Sequence, residues 1–226
     1  MQSAALLHLF QLASPSLPIG AYSYSQGLEA AIENGSVKNE ATARAWITTY
    51  LREVVARFEA PILWRLIHAF QQKDQAAVAY WNELFIAARD TAEFRAETIQ
   101  MGYSLGKLVG DLQIADAALL TILQAQSELP LPTALACAAV ALEVPATAAL
   151  LGMLFTWAEN QALVCVKSIP LGQVAGQRLL LSLRADLEAA ATLAEHLEDH
   201  QLSNWSPGLS LLSMQHEVQY SRLYRS

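Results

Sequence analysis

Two histidines on a predicted helix have a spacing that metal ligands use. His196 and His200 are four residues apart, so a helix would place both imidazoles on one face. Zinc-protease signatures place a glutamate directly after the first histidine, whereas here Glu195 precedes it. A solvated polar helix face is therefore the favoured interpretation. His216 lies in an unusual C-terminal segment, where roles as a ligand, a partner contact or a solvated side chain stay open.

Nucleophilic and nucleotide chemistry have no matching motif. The sequence contains neither the G-x-S-x-G nucleophile elbow nor a glycine-rich phosphate loop followed by Lys-Ser/Thr. Cys137 and Cys165 lie in apolar surroundings without C-x-x-C spacing. We expect both to be buried as small hydrophobic residues, without a disulfide.

Four glutamates could pair as carboxylates for acid–base chemistry: Glu29, Glu33, Glu93 and Glu97. Glu93 and Glu97 are four residues apart on a predicted helix, beside Arg89 and Arg95. Ionic links on the helix surface are the favoured explanation of this pattern. We therefore predict that the chain has no catalytic residue, no metal ligand and no cofactor, and is not an enzyme.

Three glycines, Gly102, Gly106 and Gly110, repeat every four residues and fall on one helix face. Glycine inside a helix costs about 1 kcal/mol relative to alanine, so another backbone is expected to approach closely there. Packing within the fold and contact with another molecule are both open.

Composition indicates large interfaces with other proteins. Of the 226 residues, 54% are apolar and only 15% are charged, against a usual charged share of about a quarter. The net charge of −7, with no run of basic residues, argues against nucleic acid as a partner.

A membrane location is not favoured. The longest uninterrupted apolar stretch, 144–158, is shorter than the roughly 20 residues that span a bilayer. The N-terminus has no basic region of the kind that opens a signal peptide. We expect a soluble, cytoplasmic protein.

Helical periodicity dominates the chain and predicts a single all-α domain. Proline, glycine and capping residues set the expected boundaries, including capping boxes at Ser23/Gln26 and Asp90/Glu93. The predicted helices are 4–12, 22–33, 39–58, 61–72, 74–89, 90–112, 115–126, 132–143, 145–167 and 170–200. A loop is expected over 203–209, followed by a tail that is a short helix or unstructured.

Two polar segments are not explained by packing. One is 14–29, and the other is 166–177, where Lys167 ends an apolar helix before Pro170 starts the next. For the second segment, an ordinary helix–turn–helix and a contact platform are both open.

The tail, residues 213–226, ends in eleven residues, 216–226, that include the tyrosines and arginines that anchor interfaces rather than the small polar residues of a frayed end. We expect these residues to dock either onto the rest of their own chain or onto a partner.

Four motifs, in order along the chain, resemble the urease accessory proteins of the F type (UreF). The first is Ser-Leu-Pro-Ile-Gly at 16–20 followed by Tyr-Ser-Gln-Gly-Leu-Glu at 24–29, and the second is 95–102, which includes Glu97, Gln100 and Gly102. The third is Lys-Ser-Ile-Pro-Leu-Gly-Gln-x-x-Gly-Gln at 167–177, and the fourth is the tail, 213–226. Together they cover essentially the whole chain, whose length and helical composition also match.

The resemblance implies a non-catalytic chaperone of urease maturation. Such proteins are all-α and dimerise, bind the D/H-type accessory protein, and recruit the G-type GTPase that delivers nickel to apo-urease. The chain would divide into a domain, 1–212, and a partner-docking tail, 213–226. A nickel carrier using His196, His200 and His216 is the alternative. The partner-binding residues that the resemblance implies are Lys167, Pro170, Gly172, Gln173, Gly176, Gln177, His216, Glu217, Gln219, Tyr220, Ser221, Arg222, Tyr224 and Arg225.

Overall fold

The N-terminal quarter contains two short helices joined by a turn-rich segment. In the computed structural model, which describes residues 2–226, α1 spans Ser3–Leu12 and α2 spans Leu28–Glu33. The predicted helix 22–33 is wrong for its first half, since α2 begins only at Leu28. The capping box predicted at Ser23 is wrong as well. Gln26 and Gly27 have φ values of 56° and 79°, and this left-handed backbone cannot continue a helix. Only a short 3₁₀ turn, Ala21–Ser23, precedes them.

The next three elements form one continuous helical rod. α3, Glu40–Tyr50, begins at a capping box formed by Asn39 and Thr42. A π-helical segment, Leu51–Glu59, leads directly into α4, Ala60–Gln71. Pro61 lies inside this rod, although its ring excludes a hydrogen bond to the carbonyl four residues earlier. That carbonyl, on Arg57, instead accepts the backbone N–H of Ser203 at 3.1 Å.

Two further helices follow, with side-chain caps. α5 spans Gln75–Ala87 after an Asp74 cap, and α6 spans Ala92–Asp111. Thr91, not the predicted Asp90, caps α6 by accepting the backbone N–H of Phe94 at 3.2 Å. Asp90 accepts a hydrogen bond from Ser210 instead.

Three helices, α7 (Ala117–Gln124), α8 (Leu131–Ala141) and α9 (Ala146–Ser168), complete the central core. α8 packs between α4 and α6, and α9 packs on α4, α10 and α11. Within residues 2–226, α9 is the one helix long and apolar enough to cross a membrane, but 56% of its most apolar window is buried inside the protein. Core helices of soluble proteins have the same properties. Cys137 and Cys165 are buried, as predicted, and unpaired.

The C-terminal part contains two helices where one was predicted, followed by a third that covers part of the tail. The expected helix 170–200 is interrupted at Leu183, which separates α10 (Gln173–Ser182) from α11 (Arg184–His196). The expected loop 203–209 overlaps the start of α12, Pro207–Glu217. α12 therefore runs across the predicted boundary between residues 212 and 213. The all-α, single-domain prediction is confirmed.

Two of the three spaced glycines serve packing within the fold. A Cβ at Gly102 would lie 2.1 Å from the carbonyl oxygen of Leu129, and one at Gly106 would lie 2.4 Å from the Leu129 side chain. The loop that leads into α8 thus crosses α6 at these glycines. A Cβ at Gly110 would meet nothing within 4 Å, and nothing in the structure explains that glycine.

Candidate functional site

The tail is held by a buried histidine between two carboxylates. His216, near the end of α12, is fully buried. Its Nε2 lies 3.0 Å from Oε2 of Glu29 on α2, and its Nδ1 lies 3.0 Å from both carboxylate oxygens of Glu93 on α6. Both ring nitrogens of this histidine are therefore within hydrogen-bond distance of a carboxylate from a different helix. Arg222 adds a second cation by donating from Nη1 to Glu93 at 3.1 Å.

Glu29 also binds the backbone of the tail. Its Oε1 accepts the N–H of Leu223 at 2.7 Å, and its Oε2 accepts the N–H of Tyr224 at 3.0 Å. This carboxylate therefore receives three donors from the tail, although it lies nearly two hundred residues earlier in the chain. Charge-assisted hydrogen bonds of this kind are the strong ones, particularly when they are buried.

The last residue of the tail fits against the segment before α2. Ser25 donates both its backbone N–H and its hydroxyl to the carbonyl of Ser226, each at 2.6 Å. The Ser226 hydroxyl donates to Glu97 on α6. The other oxygen of Glu97 accepts the side-chain amide of Gln26 at 2.7 Å, and Gln26 in turn accepts the indole N–H of Trp157 at 2.8 Å.

Glu97 is a buried carboxyl with perturbed ionisation. Burial raises its pKa to about 7, and the hydrogen bonds from Ser226 and Gln26 only partly oppose that increase. This carboxyl therefore holds its proton to a higher pH than an exposed glutamate does. Its charge couples the end of the tail to the core of the domain.

The tail also contacts the predicted platform at the end of α9. The ammonium of Lys167 lies 5.8 Å from the centre of the Tyr224 ring, within the range of a cation–π interaction. The Tyr224 side chain is buried, and this burial raises the pKa of its phenol to about 12. Gly176 on α10 packs against Val166, where a Cβ would lie 2.4 Å from the valine side chain.

The structure sorts the sequence-predicted site residues by accessibility. Gly176, His216 and Tyr224 are buried within the chain itself, and Gln219 is half-buried. The exposed ones are Lys167, Pro170, Gly172, Gln173, Gln177, Glu217, Tyr220, Ser221, Arg222 and Arg225. The buried His216 and Tyr224 and the exposed Arg222 hold the tail in place, and Gly176 packs against Val166. The other exposed members present side chains or backbone at the surface.

An apolar surface runs along α12 into the rest of the tail. Val218 is 83% exposed, Leu223 is 73% exposed, and Tyr220 is fully exposed. Leu211 and Met214, which lie on α12 seven and four residues before Val218, are also about half exposed. We call these five residues the tail surface. Neighbouring exposed apolar side chains of this kind mark interaction sites.

Sequence reasoning missed the groups that hold the tail. Surface salt links between Glu93, Glu97 and their neighbouring arginines were predicted, and this prediction is wrong. Arg89 instead pairs with Glu59 at 2.8 Å, and Arg95 pairs with Glu128. The available signal was that both glutamates lie on the same α6 face as buried apolar residues, where a solvated pair is not expected.

The histidines do not converge on a metal position. The two ring nitrogens of His216 face different carboxylates, and Nδ1 of the exposed His196 contacts the Thr192 carbonyl of its own helix at 2.8 Å. Among residues 2–226, no group of three or more His, Cys, Asp or Glu side chains has a geometry that would hold a metal ion.

Comparison with known proteins gives one consistent family. The UreF family model matches residues 37–184. Proteins named "Urease accessory protein UreF" from Janthinobacterium sp. (strain Marseille) and Nitrosospira multiformis are 77% and 62% identical to this chain, over 100% and 98% of both sequences. One of the same name from Azoarcus sp. (strain BH72) is 50% identical over 98% of this chain and 95% of its own. The tail lies beyond the matched family region but within the full-length alignment with the Janthinobacterium protein.

Proposed function

This chain belongs to the UreF family of urease accessory proteins, and we propose that within urease maturation it is a non-catalytic, cytoplasmic scaffold. In this proposal it binds the D/H-type accessory protein and recruits the G-type GTPase, so that nickel is inserted into apo-urease. It acts on the GTPase in trans and forms a homodimer. The names of the relatives support the role in urease maturation.

The observation that carries this proposal is a rigidly anchored apolar surface. His216 and Glu29 fix the tail through buried charge-assisted contacts. The same segment leaves Val218, Tyr220 and Leu223 largely exposed. Tyrosine is typical of the energetically dominant part of protein interfaces, and an exposed apolar surface beside it marks an interaction site. A tail with no partner has no physical reason to combine strong anchoring with an apolar outer face.

The second predicted platform adjoins this surface and extends the proposed interface. Lys167 contacts Tyr224, and the exposed Gly172, Gln173 and Gln177 follow it in the chain. A partner that covers the tail surface would therefore reach Lys167 as well. In this proposal the D/H-type protein binds the tail surface, and the joint surface presents Lys167 to the GTPase.

The nickel-carrier alternative receives no support from the surroundings of the histidines. His216 is enclosed by two carboxylates of its own chain, and His196 contacts its own helix. Equilibrium dialysis of the isolated chain against micromolar nickel separates the two functions. The scaffold proposal expects no stoichiometric binding, whereas a carrier would bind at least one equivalent.

Reconstitution tests the proposed function. Apo-urease, the D/H-type protein, the G-type GTPase, nickel and GTP are incubated with and without this chain, and urease activity is followed over time. We expect activation to require the chain at a stoichiometry matching the complex and to fail when the GTPase is omitted. Equal activation without the chain would contradict the proposal.

A further inference from the structure

The two cysteines of the chain are protected from oxidation by the fold. Cys137 and Cys165 are buried and unpaired, and burial raises the pKa of each thiol to about 12. Both therefore stay as thiols near neutral pH, whereas the thiolate is the form that reacts readily. A dissolved oxidant must find its target among the other sulfur atoms of the folded chain.

The methionines differ sharply in exposure. Met101 on α6 is 5% exposed, and Met153 on α9 is partly buried because it packs against the core. Met214 on α12 is 45% exposed. Met1 lies outside the residues that the structure describes. Within those residues, Met214 is therefore the methionine that an oxidant in solution reaches most easily.

Met214 lies in the middle of the tail surface. Leu211 is three residues before it and Val218 is four residues after it, so the three side chains share one side of α12 and its C-terminal end. The other side of the helix packs on α2 and α6, and there Ser213 and His216 are buried. A chemical change at Met214 would therefore alter the outer face of α12 and leave the contacts that hold the helix in place.

Oxidation reverses the polarity of this side chain. A hydroperoxide transfers one oxygen atom to the thioether, so that the sulfur is oxidised to the sulfoxide. The O–O bond of the peroxide breaks at the same time, and hydrogen peroxide is reduced to water. The new oxygen is a hydrogen-bond acceptor, and burying it in an apolar interface without a donor costs free energy. Methionine sulfoxide reductases return the sulfoxide to the thioether.

We propose that Met214 is a reversible oxidation site, and that its sulfoxide weakens docking of the D/H-type protein on the tail surface. This inference rests on the proposed function, because it assigns a form of regulation to the same surface. A bound partner covers Met214, so the free chain is the form that hydroperoxides modify.

Peptide mapping by mass spectrometry tests the site itself. The full chain is treated with hydrogen peroxide, alone or after saturation with the D/H-type protein. In the free chain, we expect the peptide with Met214 to gain the mass of one oxygen atom before those with Met101 and Met153 do. The D/H-type protein should delay this gain. Oxidation of Met101 or Met153 ahead of Met214, or no delay in a complex that has formed, would overturn the proposal.

Calorimetric titration with the D/H-type protein tests the consequence for docking. The oxidised wild type should bind at least about tenfold more weakly than the untreated chain, and methionine sulfoxide reductase should restore its affinity. Circular dichroism should show the same unfolding temperature for both forms. Equal affinity of the two forms would contradict the inference. Failure of the untreated chain to bind would contradict the proposed function itself, and this inference with it.

Two substitutions assign the effect to one sulfur atom. The affinity of Met214→Leu should be the same before and after peroxide treatment, because leucine has no thioether to oxidise. Met153→Leu, a volume-conserving change at a partly buried methionine, is the matched control and should lose affinity on treatment as the wild type does. A loss of affinity in treated Met214→Leu equal to that of the wild type would place the sensitive residue elsewhere and overturn the proposal.

Discussion

The carboxylate of Glu29 lies 3.0 Å from Nε2 of His216, across 187 positions of sequence. This contact joins the second helix of the chain to the last one. Because Glu29 also accepts two backbone N–H groups of the tail, the N-terminal motif and the C-terminal motif form a single structural unit. The sequence resemblance noted both motifs, and their contact gives a physical reason for finding them in the same chain.

Removal of the His216 imidazole should strongly destabilise the protein. His216→Ala leaves the carboxylates of Glu29 and Glu93, both about 90% buried, without the imidazole that contacts them both, and it leaves a cavity. Removing the hydrogen-bond partner of a buried charged group costs about 3 kcal/mol or more. We expect a loss near this value, since Arg222 still contacts Glu93. Urea unfolding at pH 7 measures it, and limited proteolysis should cut the tail first.

His196→Ala is the matched control for this substitution. That side chain is exposed and contacts only the Thr192 carbonyl of its own helix. We expect a change within about 0.5 kcal/mol, which is typical of surface positions. Equal effects of the two substitutions would contradict the conclusion that His216 holds the tail through buried contacts with Glu29 and Glu93.

Glu97 should make stability decrease with rising pH. Folding raises the pKa of this carboxyl from 4.5 to about 7, so the folded state binds more protons than the unfolded state between these values. The contribution of Glu97 to the free energy of unfolding is therefore complete below pH 4.5 and is lost as the pH rises through 7, by up to about 3 kcal/mol.

Comparison with Glu97→Gln isolates this effect from other titrating groups. As the pH rises from 4.5 to 7.5, the unfolding free energy of the wild type should fall relative to that of Glu97→Gln. Chemical denaturation at four or five pH values gives this difference. A difference that is flat over the range would mean that the carboxyl is not buried as described.

The glycines of α6 should respond differently to alanine. Gly102→Ala brings a Cβ to 2.1 Å from a backbone oxygen, so the loop before α8 must move, at a cost above about 2 kcal/mol. Gly110→Ala meets open space and should stabilise the helix by up to about 1 kcal/mol. Thermal unfolding of both variants measures the contrast. Similar losses at both positions would contradict the proposed packing.

Helix positions were largely predictable because caps and periodicity act locally. The helices predicted to start at residues 39 and 74 do start there, because the side chains of Asn39 and Asp74 cap them. The errors occur where a non-local contact decides the outcome. Asp90 has the residue type of a cap, but Ser210 binds it and Thr91 takes its place. Gln26 is drawn into a left-handed turn, where its amide contacts Glu97.

The candidate site was only half predictable for the same reason. Residue types identified the tail as a segment that docks onto another surface. In the structure, part of the tail docks onto its own chain, where His216 and Tyr224 are buried. A sequence pattern does not distinguish a tyrosine that binds a partner, as proposed for Tyr220, from one buried in its own chain, as Tyr224 is. The carboxylates on α2 and α6 become recognisable as a clamp only when distant helices are brought together.

Arg222→Ala should reduce assembly rather than chemistry. Its guanidinium bonds to Glu93 and helps to hold the tail, so its loss should lower the yield of the complex with the GTPase. GTP hydrolysis per assembled complex should stay unchanged. Arg52→Ala, at a 67% exposed arginine paired with Asp186, is the control and should alter neither quantity. Slowed hydrolysis within an intact complex would instead indicate an arginine finger.

Partner docking on the tail surface is the central claim, and point substitutions test it better than truncation. A chain ending at Leu212 would cut α12 and remove His216, so loss of binding would not separate docking from folding. Val218→Ser/Tyr220→Ala changes only exposed side chains. Tyr80→Ala, at an exposed tyrosine on α5, is the matched control.

Light scattering of each variant mixed with the D/H-type protein and the G-type GTPase is the most direct measurement. The account predicts that wild type and Tyr80→Ala form the ternary complex, and that Val218→Ser/Tyr220→Ala fails to do so at the same concentrations while unfolding at the wild-type temperature. A ternary complex of normal mass and yield with the double variant would contradict the claim and move the interface to the segment from Lys167 to Gln177.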